Sequence, residues 1–217
     1  GTGGKGVDFM FYNCVFDQNA VTTATQTNGL VNLSLGAALT HTNPATNNTA
    51  NFENCSFDMT DGTTIGITLG GAFKLDNLEV KNCSFFGKSD RTAMGIKQLA
   101  TGISDHLYIE GNDFQYCGIQ MNLPDAVANA ADRTYIWGNI FEDANGVEIA
   151  WPAGGLAVGA LSFANGLWIE GNHFQVNQPS SATRRASGFA LHLNSVCQEY
   201  INNANLHFNN NAIIVKQ

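Results

Sequence analysis

The sequence has few charged residues and few prolines for its length. Charged residues make up 13% of the 217 residues and only 4 are proline, whereas 44% are hydrophobic. A chain so rich in apolar residues is not a disordered segment, because it buries enough surface to offset the entropy lost on folding. Ten Lys and Arg against 18 Asp and Glu give a formal charge of −8. This acidic balance disfavours nucleic acids and anionic membrane surfaces as partners, since both would be repelled.

Signals for a membrane span, a disulfide framework or a metal site are also missing. No apolar run approaches the roughly 20 residues that span a bilayer. The 5 Cys are an odd number without a Cys-x-x-Cys pair, and the 5 His show no ligand spacing. We therefore expect no membrane insertion, no metal and no cofactor.

What the sequence does contain is an eight-residue repeat, here called the rung, in seven ungapped copies. The copies are Phe9–Phe16, Ala50–Phe57, Leu78–Phe85, Leu107–Phe114, Thr134–Phe141, Leu167–Phe174 and Leu206–Ile213. Their starts lie between 27 and 41 residues apart, and a fixed core with variable spacing indicates a fixed structural unit joined by loops of variable length. We expect residues 1–217 to form a single domain of about seven coils, and to be a piece of a longer protein.

Each position of the rung has its own physical role. The first and third residues are apolar in nearly every copy, which is the period-two patterning of a β-strand. The fifth is always Asn or Gly, the residues that most readily adopt a left-handed backbone and turn the chain. The sixth is Cys in three copies and Asn in four, and the eighth is Phe six times and Ile once. Stacked coils would align these residues as a Cys/Asn ladder and an interior column of Phe.

A second signal follows each of the first six rungs. It is a glycine followed by apolar residues in alternation, as in Gly118-Ile-Gln-Met and Gly146-Val-Glu-Ile. It predicts a further strand, so that each coil has two strands joined by a turn of adjustable length. The segments GNDFQYCGIQM and GNIFEDANGVEI resemble coils of right-handed parallel β-helices of the pectate-lyase type, in which Asn ladders recur at a turn. The resemblance implies an all-β, right-handed parallel β-helix.

A leucine-rich-repeat solenoid is the alternative fold, because the rung also reads as Leu-x-Leu-x-x-Asn/Cys-x-Phe. That repeat needs a further Leu three residues upstream, and only Leu75 supplies it. A second strand that begins with Gly, in place of a convex helix, also favours the β-helix.

The second and fourth rung positions are expected to face outward, since the first, third and eighth face the core. Neighbouring coils stack at about 4.8 Å. The later coils then present a patch of four aromatic side chains with a carboxylate on either side: Tyr108, Tyr135, Trp137 and Trp168, with Glu110 and Glu170. Exposed aromatic clusters usually mark a contact. We predict the four aromatic residues as ligand-binding, because sugar rings stack on aromatic faces; packing against loops or other subunits is the alternative.

Glu110 and Glu170 are candidate catalytic residues. They lie two coils apart, about 10 Å at the backbone, and side-chain lean brings such a pair towards the roughly 6.5–9.5 Å of an inverting glycosidase. On the second strand, Gln120, Glu148 and His192 face outward in nearby coils, and Glu148 is a weaker catalytic candidate. A carboxylate at an outward strand position is more often a solvated charge. The catalytic motifs of polygalacturonases and pectate lyases are absent.

The polar composition, the few charges and the unpaired thiols of a truncated β-helix resemble the shaft of a bacteriophage tailspike. The resemblance implies a homotrimer, on a virion tail or otherwise extracellular, that binds bacterial surface polysaccharide. The polysaccharide is then also a candidate substrate for a glycoside hydrolase or polysaccharide lyase activity, since many such proteins cleave the glycan that they bind. A secreted bacterial polysaccharide lyase or hydrolase is one alternative, and a structural fibre or adhesin segment without catalysis is another.

Overall fold

The chain folds as an all-β parallel β-helix. A computed structural model describes residues 8–17, 29–35, 49–60, 65–71, 75–88, 93–98, 104–122, 133–150, 167–177, 189–193 and 206–216. These residues form 20 strands in three parallel sheets. No helix occurs among them, and hence none that is long and apolar enough to cross a membrane. Within the described ranges, the three stacked sheets exclude the leucine-rich-repeat alternative, which has a single sheet.

The strands fall into three sheets: sheets A and B have one strand from each of the seven coils, and sheet C has one described strand from each of the first six. Sheet A contains β1 (Asp8–Tyr12), β4 (Thr49–Glu53), β7 (Leu75–Lys81), β10 (Ser104–Glu110), β13 (Arg133–Trp137), β16 (Leu167–Glu170) and β19 (Leu206–Asn209). Sheet B contains β2 (Val15–Asp17), β5 (Ser56–Asp58), β8 (Ser84–Phe86), β11 (Asp113–Gln115), β14 (Ile140–Glu142), β17 (His173–Asn177) and β20 (Ala212–Lys216). Sheet C contains β3 (Val31–Leu35), β6 (Ile65–Gly71), β9 (Met94–Gln98), β12 (Gly118–Asn122), β15 (Asn145–Ala150) and β18 (Phe189–Leu193).

The seven rungs stack in the register that the repeat predicts. In sheet A the first residue of each rung pairs with the first residue of the next, from Phe9 opposite Ala50 to Leu167 opposite Leu206. In sheet B the eighth residues pair in the same way, ending with Ile213. A slip of one residue would turn every buried side chain of a strand outward. This register therefore fixes which residues face the core and which face solvent.

The rung contains the turn that its fifth residue predicts, and this turn divides the rung into two strands. Each of the first six coils therefore has three described strands, and the prediction of two was wrong. The fifth rung residue is in the left-handed conformation in all seven coils, with φ between 52° at Asn82 and 66° at Gly111. The turn separates a strand at positions one to four from a strand at positions seven to nine. It also explains why the inward positions change from odd to even along the rung, which an unbroken strand does not allow.

Aromatic rings fill the interior behind sheet B. The eighth rung residues of coils two to six are fully buried phenylalanines: Phe57, Phe85, Phe114, Phe141 and Phe174. Consecutive ring centroids are 4.5 to 4.8 Å apart, and the planes differ by 14° or less. Such aromatic pairs contribute about 0.5–1.5 kcal/mol each beyond the burial of their area. The predicted Phe column is thus a main component of the core.

An asparagine ladder runs beside the turn, as predicted from the sixth rung position. The side-chain Oδ1 of Asn139 accepts hydrogen bonds from the backbone N–H and the side-chain Nδ2 of Asn112, both at 2.9 Å. The Nδ2 of Asn139 donates to the carbonyl of Ile109 at 2.9 Å and to Oδ1 of Asn172 at 3.0 Å. The same bonds recur one coil further on, so every ladder amide shown here is satisfied in a buried site.

Cysteine takes the ladder position in the first three coils. The backbone N–H of Cys55 donates to Sγ of Cys83 at 3.4 Å, and Sγ of Cys83 donates to the carbonyl of Lys81 at 3.2 Å. Both thiols are buried and free, whereas that of Cys14 is only half-buried. Burial raises the pKa of the Cys83 thiol to about 12. Cys55 and Cys83 therefore stay protonated at neutral pH and act as small donors and acceptors in the ladder.

Replacing Asn139 with Ala should destabilise the protein strongly. The change removes the acceptor of the buried Asn112 backbone N–H and side-chain amide and the side-chain donor to the Ile109 carbonyl, and each buried group that loses its partner costs about 1–3 kcal/mol. We expect the free energy of unfolding in urea to fall by about 3 kcal/mol or more. Asn139→Cys is the matched control, because cysteine occupies this position in other coils, and it should lose clearly less. Equal losses in the two variants would contradict the ladder's role.

Candidate functional site

Four aromatic rings stack on one another along the outer face of sheet A. Tyr108, Tyr135, Trp168 and His207 occupy the second rung position of consecutive coils. Their centroids are 5.3, 4.8 and 5.1 Å apart, and the planes differ by 12° or less. Each ring is half-buried, since its neighbours cover its faces. The structure thus brings the predicted patch together, but as an aromatic column that presents ring edges to solvent.

Trp137 lies beside the aromatic column and has a different environment. It occupies the fourth rung position and its side chain is 55% exposed. A Cβ atom on Gly171 in the next coil would lie only 3.1 Å from the indole Nε1. Gly171 also has φ of +64°, a conformation that disfavours any other residue except Asn or Asp. Glycine at this turn therefore leaves room for the indole.

The column and Trp137 line one cleft. It has a volume of about 310 Å³ and is lined by the six predicted outward residues together with Ile109: Tyr108, Glu110, Tyr135, Trp137, Trp168 and Glu170. Those residues come from three consecutive coils, and residues from different coils are far apart in the sequence. Only the stacking of β10, β13 and β16 brings them together.

Two carboxylates lie on opposite sides of Trp137 in the cleft. Glu110 and Glu170 are its register partners in the preceding and the following coil. Their backbones are therefore two strand spacings apart, about 10 Å. Oε1 of Glu170 accepts a hydrogen bond from Nδ2 of Asn209 at 3.0 Å, which orients that carboxylate. The sequence reasoning did not identify Asn209, although its place at the fourth rung position puts it next to Glu170.

A salt bridge lies next to Glu110 along the same face. Nζ of Lys81 is 2.8 Å from Oε2 of Glu79. The hydrogen bond from Lys81 lowers the pKa of Glu79, and the same bond raises the pKa of Lys81. The carboxylates of Glu110 and Glu53 raise the pKa of Lys81 further. Lys81 is therefore held in its charged form by the acidic groups around it.

The weaker candidate on sheet C is also assembled in register. Gln120, Glu148 and His192 occupy the same position of β12, β15 and β18. Nε2 of Gln120 donates to Oε2 of Glu148 at 3.0 Å, and Nδ1 of His192 lies 3.4 Å from Oε1 of Glu148. Both oxygens of Glu148 thus contact neighbouring side chains of the protein. Trp151, which the sequence placed beside this group, lies outside the described residues.

No metal centre emerges from the part of the chain that the structure describes, where no three His, Cys, Asp or Glu side chains could hold an ion. Comparisons with protein-family models, with curated proteins and with solved structures found no match for the chain. A parallel β-helix supports many unrelated functions. The geometry of the cleft is therefore the basis on which a function is proposed.

The different environments of Tyr135 and Trp137 predict different effects on stability. Tyr135 stacks on a ring on each side, so Tyr135→Ala should lower the free energy of unfolding by about 1–3 kcal/mol. Trp137→Ala removes an exposed side chain and should cost less than about 1 kcal/mol. Urea unfolding followed by circular dichroism measures both. Tyr135→Phe keeps the stacked ring and should behave like the wild type; a large loss for Trp137→Ala would contradict the exposed position of this indole.

Proposed function

We propose that the cleft on sheet A binds the chain of a bacterial surface polysaccharide. The observation that carries the proposal is an exposed tryptophan, Trp137, with a carboxylate on either side and a column of aromatic edges beside it. Indole rings pack against the apolar faces of sugars, and carboxylates accept hydrogen bonds from sugar hydroxyls. Exposed aromatic surface on a soluble protein usually marks such a contact.

The cleft suits a short stretch of chain. Its volume of about 310 Å³ is at the lower end of the roughly 300–1,000 Å³ of ligand pockets. In the proposed complex one sugar lies on Trp137, and its hydroxyls donate to Glu110 and Glu170. The outer edges of Tyr108, Tyr135 and Trp168 contact the adjoining part of the glycan. The binding site is rigid, because its side chains project from the strands of a sheet.

We further propose that Glu110 and Glu170 cleave the bound chain. Their backbone separation of about 10 Å fits an inverting pair better than a retaining pair, whose carboxyl groups are about 5–5.5 Å apart. One carboxylic acid protonates the leaving glycosidic oxygen as its bond to the anomeric carbon breaks. Water bonds to that carbon from the opposite side, and the other carboxylate takes the water's proton. Glu148, whose oxygens both contact neighbouring side chains, is less suited to this role.

The resemblance to tailspike shafts suggests the setting of this activity. In that setting the protein is a homotrimer on a virion tail, where it recognises its host through surface polysaccharide. A secreted bacterial enzyme would use the same cleft on a free polysaccharide. In both settings the protein is extracellular, and the site residues are the same.

A structural fibre or adhesin segment is the second candidate function. The observation that favours it is the aromatic column itself, since Tyr108, Tyr135 and Trp168 cover one another's faces. Rings stacked in this way stabilise the sheet without any ligand. The two candidate functions differ in their need for Trp137 and the two carboxylates. Glycan binding requires these side chains, whereas a structural column does not.

The double variant Glu110→Gln, Glu170→Gln tests the cleavage proposal. Wild-type protein should lower the viscosity of a capsule or O-antigen preparation, and the variant should lose at least about a hundredfold in rate, because both proton transfers are lost. It should still bind the polysaccharide, since glutamine keeps the shape of glutamate.

Glu148→Gln is the matched control on sheet C and should digest the polysaccharide as the wild type does. Digestion by the double variant at the wild-type rate would show that these two carboxylates are not catalytic. A loss of glycan binding with Trp137→Ala and not with Glu148→Gln would favour the binding site over the purely structural alternative.

A further inference from the structure

The surface around the cleft is strongly acidic. Glu110 and Glu170 lie one rung on either side of Trp137. Glu53 occupies the same fourth rung position two coils before Glu110, and Glu79 is the register partner of Tyr108. Among the described side chains at the second and fourth rung positions of sheet A, which include all the outward residues of the cleft, Lys81 is the one lysine or arginine.

Lys81 is already paired with carboxylates of the protein itself. Its Nζ lies 2.8 Å from Oε2 of Glu79, and Glu110 and Glu53 act on it through space. An anionic ligand that approached Lys81 would have to displace Glu79 and then face the other carboxylates. The cleft therefore has no cation ready to receive an acidic sugar among its described side chains.

We infer that the polysaccharide bound here is a neutral one, and that chains bearing uronic acids or other anionic groups are rejected. The inference rests on the proposed function. Glu110 and Glu170 lie one strand spacing, about 5 Å, on either side of Trp137, so a carboxylate on a sugar stacked against this indole lies at about that distance from one of them. At that distance each like-charge pair weakens binding from about fourfold in bulk water to more than about a hundredfold near a protein surface. Sugar hydroxyls instead donate hydrogen bonds to both carboxylates.

A neutral ligand also decides between the two cleavage reactions. Elimination by a lyase removes the C5 proton of a uronic acid and breaks the C4–O bond, and it requires the carboxyl group at C6 to acidify that proton. A neutral sugar lacks this group. Hydrolysis needs only a proton donor, a proton acceptor and water. The reaction class that fits the acidic cleft is hydrolysis, with water consumed and a new reducing end formed at each cut.

Matched pairs of polysaccharides test the inference. Each pair is a purified bacterial capsular polysaccharide that contains uronic acids and its carboxyl-reduced derivative, in which every uronic acid has become a neutral sugar with the same linkages. Binding to the full chain is measured by isothermal titration calorimetry at pH 8, above the ordinary pKa of histidine, and at low salt. For the pairs that bind, the reduced polymer should bind at least tenfold more tightly than its parent.

The carboxylate variants identify the source of the preference. In the Glu110→Gln, Glu170→Gln protein the difference between the two polymers should shrink at least threefold, whereas Glu148→Gln should keep the full difference. Added salt should also reduce the difference, because it screens exposed charges.

The outcomes separate the inference from the proposed function. The neutral-ligand inference would be overturned if the acidic parent bound as tightly as the reduced polymer and Trp137→Ala abolished that binding. The binding site itself would then stand. The proposed function would be overturned, and the inference with it, if the protein bound neither polymer of any pair and no neutral O-antigen. The same would follow if it bound them equally well after Trp137→Ala.

Discussion

The in-register hydrogen bonding between coils is the constraint on which the rest of the structure depends. Each strand pairs in parallel with its equivalent in the next coil, so a residue is always stacked on the residue at the same rung position. Like side chains then meet like side chains at the strand spacing of about 4.8 Å. Phenylalanine stacks on phenylalanine inside, and asparagine bonds to asparagine at the turn. The repeat of the sequence is thus a consequence of the repeat in space.

The same constraint shapes the outer surface, where the residues do not repeat. The nearest neighbours of an outward side chain in the adjacent coils are the residues at its own rung position. Within its own strand they are the outward residues two positions away. In coils four to six the residues that stack between coils are Tyr108, Tyr135 and Trp168 at the second position. At the fourth position the order is Glu110, Trp137 and Glu170. A single sheet thus carries a stabilising aromatic column beside an exposed acidic and aromatic cleft.

The turn at the fifth rung position connects the core to this surface. In coils four to six the residue there is glycine, whereas the other four coils have asparagine. Both residues accept the left-handed backbone, but only glycine lacks a Cβ atom, which at position 171 would crowd the Trp137 indole at 3.1 Å. The glycines occur in the coils that bear the cleft. We expect that an asparagine at position 171 would displace the indole while keeping the turn.

Much of the fold followed from the sequence because the rung is ungapped. Its alignment gave the register, the Phe column and the ladder, all of which the structure confirms. The turn at the fifth position was also predicted, and the left-handed φ values confirm it. That this turn divides the rung into two strands was missed, although the change from odd to even inward positions was visible. The alignment also brought Trp137 and its two carboxylates together. It did not reveal that Tyr135 has both faces covered, since ring orientation depends on packing between coils and not on position alone.

Distances between coils test the central claim of stacking most directly. Spin labels on Glu53 and Glu170 are four coils apart, and labels on Glu53 and Asn209 are five coils apart. Pulsed electron resonance should give about 19 Å and 24 Å, a difference of one strand spacing of about 4.8 Å although 39 residues separate Glu170 from Asn209. A broad distribution, or a difference several times larger, would contradict the stacked coils and the cleft built on them.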